Sequence, residues 1–174
     1  MPVPPPHAVK QQVVKTYQRE YHCRTLVETG TYMGAMVDAQ LPNFDTIYSI
    51  EIDHDLWAAQ FQRFRNRPSV HIIEGDSGEI LKSIVPLLYE PALFWLDGHY
   101  SGVGTGKGSK DCPIFEELAA IFDSPYNHIL LIDDARCFDG TSDYPTIEDL
   151  SDYVRGRRVN AKMEVASDII RIVV

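Results

Sequence analysis

Apolar runs short enough for strands recur along the chain, each ending in an acid or next to one, and stretches with helical spacing separate them. Residues 25–28, 46–52, 70–74, 92–97 and 128–133 predict strands. Residues 33–40, 55–65, 78–88 and 114–122 predict the helices between them, and residues 8–21 a leading helix that covers one edge or face of the sheet. Strands spaced by helices in this way imply right-handed crossovers and a parallel sheet covered on both faces.

The tail breaks that rhythm. After a further helix at 147–154, two strand-like runs at 162–166 and 169–174 are separated by Ser167-Asp168 alone, a link that permits a hairpin but no parallel crossover. The prediction is an α/β, Rossmann-like doubly wound sheet of seven strands, mostly parallel with an antiparallel last strand, and helices on both faces. Residues 1–7 read as a flexible Pro-rich arm and 8–174 as a single domain.

In such a sheet a ligand sits beyond the carboxyl ends of the strands, where the strand order reverses. The segment Glu28-Thr29-Gly30-Thr31-Tyr32-Met33-Gly34 has the form of a strand tip, a glycine turn and a helix start, and it belongs at that place. Glu28 narrows the ligand. A carboxylate there repels the pyrophosphate of a dinucleotide and attracts the ammonium of a zwitterionic amino-acid ligand. Glu28, Glu51, Asp76, Asp97, Asp133 and Asp134 all fall at strand ends, so the rim they form calls for cationic partners. A sulfonium ligand with an ammonium group, or a divalent metal, would supply that charge.

Charge and composition narrow the partners. The formal charge of −9 disfavours a nucleic-acid partner and favours a small molecule. Arg63, Arg65 and Arg67 form a basic run, but at the end of a predicted helix, where cations suit the dipole. The three cysteines, Cys23, Cys112 and Cys137, lack a CxxC pair and fit reduced thiols. No apolar run approaches the roughly 20 residues of a membrane span, and residues 1–6 lack the apolar core of a signal peptide, so a cytoplasmic protein without a membrane partner is expected.

These motifs resemble those of the class I S-adenosylmethionine-dependent methyltransferases, from about residue 25 to the C-terminus. The family's first motif is similar to Glu28–Gly34, with Tyr32 standing where the family favours glycine. The resemblance implies S-adenosylmethionine as cofactor, contacted by Glu28, Gly30, Thr31 and Gly34 at the turn, Glu51 at the ribose, Asp76 and Ser77 at the adenine, and Asp97 in the fourth motif. Asp97 with Ile132-Asp133-Asp134 is similar to the metal-dependent O-methyltransferases of the catechol and macrocin types, which implies Mg²⁺ or another divalent cation on Asp97, Asp133 and Asp134. Macrocin-type enzymes tend to carry Asp-Gly-Asp where this chain has Asp97-Gly98-His99.

Methyl transfer needs positioning and a route for a proton. His99, two residues past Asp97, has an ordinary pKa of about 6.5 and is the candidate base, with Asp97 as the second catalytic candidate; ordering the loop or ligating a metal are its other roles. Three carboxylates from two adjacent strands suit a hard cation, although Asp134 can also cap the following turn. Gly102, Gly104, Gly106 and Gly108 with Lys107 and Lys110 fit a lid over the substrate better than a phosphate cradle, since the Walker pattern fails at Ser101 and Gly108. His54 is a candidate to flank the adenine, His71 and His128 read as structural residues, and Trp57 and Trp95 as packing residues.

The expected function is methylation of a hydroxyl of a small metabolite, with acceptor contacts from the N-terminal arm, the glycine-rich loop, residues 136–145 or a second copy of the chain in a homodimer. The alternatives are a non-catalytic cofactor-binding or regulatory protein of the same fold and, against Glu28 and the absence of GxGxxG, an NAD-type oxidoreductase.

Overall fold

The structure is a computed structural model and describes residues 4–98 and 112–174. Its elements in chain order are α1 (His7–Tyr21), β1 (Thr25–Thr29), α2 (Ala35–Gln40), β2 (Thr46–Glu51), α3 (His54–Phe64), β3 (Val70–Glu74), α4 (Ser77–Ile84), β4 (Leu93–Leu96), α5 (Ile114–Phe122), β5 (Ile129–Ile132), α6 (Ile147–Arg157), β6 (Lys162–Ala166) and β7 (Ile169–Val173). The strands form one seven-stranded sheet in the order β3-β2-β1-β4-β5-β7-β6. β7 runs antiparallel between β5 and β6, and the order reverses between β1 and β4.

Successive side chains on a strand point to opposite faces, and both faces are covered. Val27, Ile50, Phe94, Leu96, Leu130 and Ile132 face a core with α4, α5 and α6. Leu26, Ile47, Leu93, Trp95, Ile129 and Leu131 face the opposite core, closed by Val14 and Tyr17 of α1, Met36 and Val37 of α2 and Phe64 of α3. Helix α1 therefore lies on a face of the sheet, against β4 and β5, rather than along an edge.

The element ends have local causes. α3 starts where the Asp53 side chain accepts from the N–H groups of Asp55 and Leu56, both at 3.0 Å. α4 gives way at Ile84 to a 3₁₀ turn over Val85–Leu87, short of the predicted residue 88, because Pro86 cannot donate into a continuing helix. α6 begins at a capping box between Thr146 and Asp149 and continues past the predicted residue 154 to Arg157. Ser167 and Asp168 both have left-handed φ, 54° and 61°, which suits the right-handed twist of the β6–β7 hairpin.

Candidate active site

The strand tips flanking the reversal come together through Gly30. Its φ is +85°, and a Cβ there would lie 2.3 Å from the carbonyl oxygen of Asp97, so only glycine allows β1 and β4 to close up at their ends. Gly30 and Thr31 donate their N–H groups to the Ile50 carbonyl at 2.9 and 3.2 Å, which ties the turn to β2. Gly34, with φ +72°, ends the turn against Gln60 and Phe64 of α3. Tyr32 takes φ +47°, the region glycine favours, with its side chain 54% exposed and its N–H donating to Glu51 Oε2 at 2.7 Å. The substitution for glycine at this position is thus absorbed by the backbone, and the ring does not crowd the turn.

Glu28 lies beneath the turn at 2% exposure, where it accepts a short hydrogen bond from the Ser49 hydroxyl. Ser49 in turn meets the Thr31 hydroxyl at 2.7 Å. Burial pushes the Glu28 carboxyl up to about 8, the Ser49 hydrogen bond opposes this, and the charges of Asp97 and Glu51 add to it. The expected carboxylate is therefore a neutral acid at neutral pH in this structure; its attraction for an ammonium becomes available only when a cation offsets the burial.

Glu51 is held on both oxygens: Oε2 by Tyr32 and Oε1 by the N–H of Asp53 at 2.9 Å. A carboxylate retains further acceptor capacity beyond two such bonds. Asp76 follows β3 and caps α4 by accepting from the Gly78 N–H at 2.9 Å. The Ser77 hydroxyl donates to Glu117 of α5 at 2.6 Å. Asp97 follows β4 directly, half-buried, with its N–H on the Thr29 carbonyl at 3.0 Å. The Thr29 hydroxyl, beside Gly98, is buried without a hydrogen-bond partner among the described residues.

The three acids expected to hold a metal do meet. One oxygen from each of Asp97, Asp133 and Asp134 lies within 4.8 Å of the others. Their donor chemistry suits a hard divalent cation. Among them, however, sits the ammonium of Lys10 from α1, in short contact with Asp133 and 3.4 Å from Asp134 Oδ1. Burial disfavours the Lys10 charge, but the hydrogen bond and charge of Asp133, with Asp134 and Asp97, outweigh it and hold the Lys10 pKa above its ordinary value. Burial and the Asp134 charge push Asp133 up against the pull of Lys10. The direct contact decides between these opposing influences: Asp133 is fully buried, and Lys10 is the cation in contact with its carboxylate. As arranged, the Lys10 ammonium sits against two of the three acids, Asp133 and Asp134.

Asp134 is fixed from the other side. It adopts left-handed φ and pairs with Arg136 at 2.7 Å, and Arg136 makes a second, short contact with Asp168 in the β6–β7 hairpin. The sequence does not mark Lys10, and it places Arg136 only in a segment of acceptor contacts and Asp168 only in the hairpin link. The cue for Lys10 was its phase with Val14 and Tyr17 on one helix face, where an apolar residue is the usual occupant.

His99 and the glycine-rich segment with Lys107 and Lys110 lie outside the described residues. His54 meets Glu74 at 2.8 Å at the surface, and His71 stacks on Tyr48. His128 is structural: Nδ1 accepts from the Ala92 N–H at 3.0 Å, so Nε2 carries the hydrogen donated to Ser124 at 2.8 Å. Burial, then the Arg158 charge, lowers its pKa to about 4 and keeps it neutral.

The sequence matches no protein-family model and no curated protein. Solved structures do match. An O-methyltransferase from Bacillus cereus in complex with S-adenosylhomocysteine superposes with a TM-score of 0.66 at 15% identity, over 99% of this chain and 84% of that one. The O-methyltransferase TomG of Streptomyces achromogenes, involved in tomaymycin synthesis and solved with S-adenosylmethionine, gives 0.63 at 14%, over 96% and 79%. The 23S rRNA methyltransferase ErmE gives 0.53 at 13%, over 93% and 67%. The chain has the fold of the class I S-adenosylmethionine-dependent methyltransferases.

Proposed function

We propose that this protein is an S-adenosylmethionine-dependent methyltransferase acting on a hydroxyl of a small metabolite. The observation that carries the reading is the meeting of the glycine turn with Glu28, Glu51 and Asp97 at the reversal of strand order, in a sheet whose last strand is antiparallel. In this reading Gly30, Thr31 and Gly34 seat the methionine part near Glu28, Glu51 accepts from the ribose hydroxyls, and Asp76 with the backbone at Ser77 meets the adenine. When bound, S-adenosylmethionine would supply an electrophilic methyl group to the acceptor oxygen, and the hydroxyl proton would pass to a base, for which His99 is the candidate, with Asp97 two residues before it in sequence as the second. The net charge of −9 supports a small acceptor over a polyanion. No helix among the described residues is long and apolar enough to cross a membrane.

Calorimetric titration with S-adenosylhomocysteine tests the cofactor assignment. Saturable 1:1 binding with an upward shift of the melting temperature is expected, and no binding at millimolar ligand would refute it. Release of S-adenosylhomocysteine with a metabolite pool, abolished in His99→Ala while cofactor binding persists, separates an enzyme from a non-catalytic binding protein.

A further inference from the structure

We propose that Lys10 is the resident cation of the Asp97, Asp133 and Asp134 cluster, and that this site works with the ammonium of α1 in the position a divalent metal would take. The inference builds on the methyltransferase reading for its chemistry, but its structural basis is separate.

Lys10, Val14 and Tyr17 follow one another at helical spacing along one face of α1. Val14 is fully buried against the sheet, and Tyr17 is buried one turn further on. The turn before Val14 therefore emerges beyond the ends of β4 and β5, and the residue on that face is Lys10. Contacts that do not involve Lys10 fix this placement. Gln11 donates to the Ala35 carbonyl at 3.1 Å, and Gln40 donates to the Gln11 carbonyl at 2.9 Å. At the other end of the helix the Tyr17 hydroxyl donates to Glu164 at 3.2 Å, with the Arg171 guanidinium over its ring. The fold thus delivers the ammonium to the cluster. Withdrawing it would remove from a fully buried Asp133 its contacting cation, a costly arrangement.

The two cations differ in what they can do. An ammonium donates up to three hydrogen bonds and orients oxygen ligands, but it does not accept their lone pairs as a Lewis acid does. With Lys10 in place, the acceptor hydroxyl is oriented by hydrogen bonds and its proton leaves to a side-chain base. Lys10 is accordingly a positioning residue.

The test is a Mn²⁺ titration of the full chain after EDTA treatment, followed by electron paramagnetic resonance. The wild-type protein is expected to bind no stoichiometric Mn²⁺ at millimolar metal, and Lys10→Met to acquire one site at least about tenfold tighter than any wild-type binding, lost again when Asp133→Asn is added. Lys10→Arg, which keeps the positive charge, is expected to exclude the metal as the wild type does. A stoichiometric Mn²⁺ in the wild type overturns the proposal, and this measurement stands even if Lys10→Met does not fold. Absence of Mn²⁺ from folded Lys10→Met overturns it as well, because the cluster would then not be a cation site that Lys10 fills. S-adenosylhomocysteine calorimetry on the same samples is read separately: its failure in the wild type strikes the methyltransferase reading and leaves the metal result intact.

Discussion

Glu28 and Asp133 are buried acids at the ends of β1 and β5, with β4 between them, yet the fold treats them differently. Asp133 has an ammonium in contact, whereas Glu28 has the Ser49 hydroxyl and two acids nearby, so its pKa climbs from 4.5 to about 8. The consequence for stability has a definite sign. Between pH 4.5 and 8 the folded protein holds a proton on Glu28 that the unfolded chain has released, so this group's contribution is full below about pH 4.5 and is lost as pH rises through 8. Glu28→Gln removes that dependence. The variant should be more stable than the wild type at pH 8 by on the order of 4 kcal/mol, with the difference vanishing near pH 4.5. Thermal melts of both proteins across this range check it; parallel curves would show that Glu28 is ionised in the folded state.

The junction of β1 with α2 depends on backbone geometry more than on side-chain chemistry. Gly30 combines a left-handed φ with a 2.3 Å approach of any added Cβ to the Asp97 carbonyl. Gly30→Ala has to open the β1–β4 tips or abandon the turn, and a left-handed φ alone costs a non-glycine residue roughly 1–2 kcal/mol. We expect a loss of about 3 kcal/mol in urea unfolding, together with at least tenfold weaker S-adenosylhomocysteine binding. A variant that unfolds and binds like the wild type would show that the tips are not held in this contact. Tyr32 explains why a glycine two positions on is dispensable: its backbone reaches φ +47° with an anchor on Glu51.

Across the molecule, both ends of the chain converge on one acid cluster. α1 brings Lys10 from one side, and the β6–β7 hairpin brings Asp168, which holds Arg136 against Asp134, from the other. Asp168 also accepts from the Arg136 N–H at 2.9 Å, so the hairpin and the segment after β5 form one unit. Asp168→Asn keeps a residue that tolerates the left-handed φ, removes the charge and turns one of the two oxygens that accept from Arg136 into a donor. It should destabilise the protein by roughly 1.5–3 kcal/mol, the range of a hydrogen bond to a charged group, as read in denaturant unfolding. No change would mean that the hairpin does not brace the cluster.

Read along the chain, the alternation of apolar runs and helical stretches determined the parallel sheet, because burial on both faces and crossover helices leave a local mark at each strand. The Ser167-Asp168 link likewise determined the antiparallel last strand, since two residues cannot span a crossover. Acids at the strand ends were legible for the same local reason. What those acids touch was decided by the tertiary structure. Lys10 meets Asp133 across 123 residues of sequence, Ser77 meets Glu117 across 40 and Glu28 meets Ser49 across 21. No periodicity encodes such pairings; they follow from which strands lie side by side and how far α1 projects past them. The sequence determined a rim of carboxylates that needed positive charge, and the packing of α1 on the sheet decided that a lysine of the chain itself stands there.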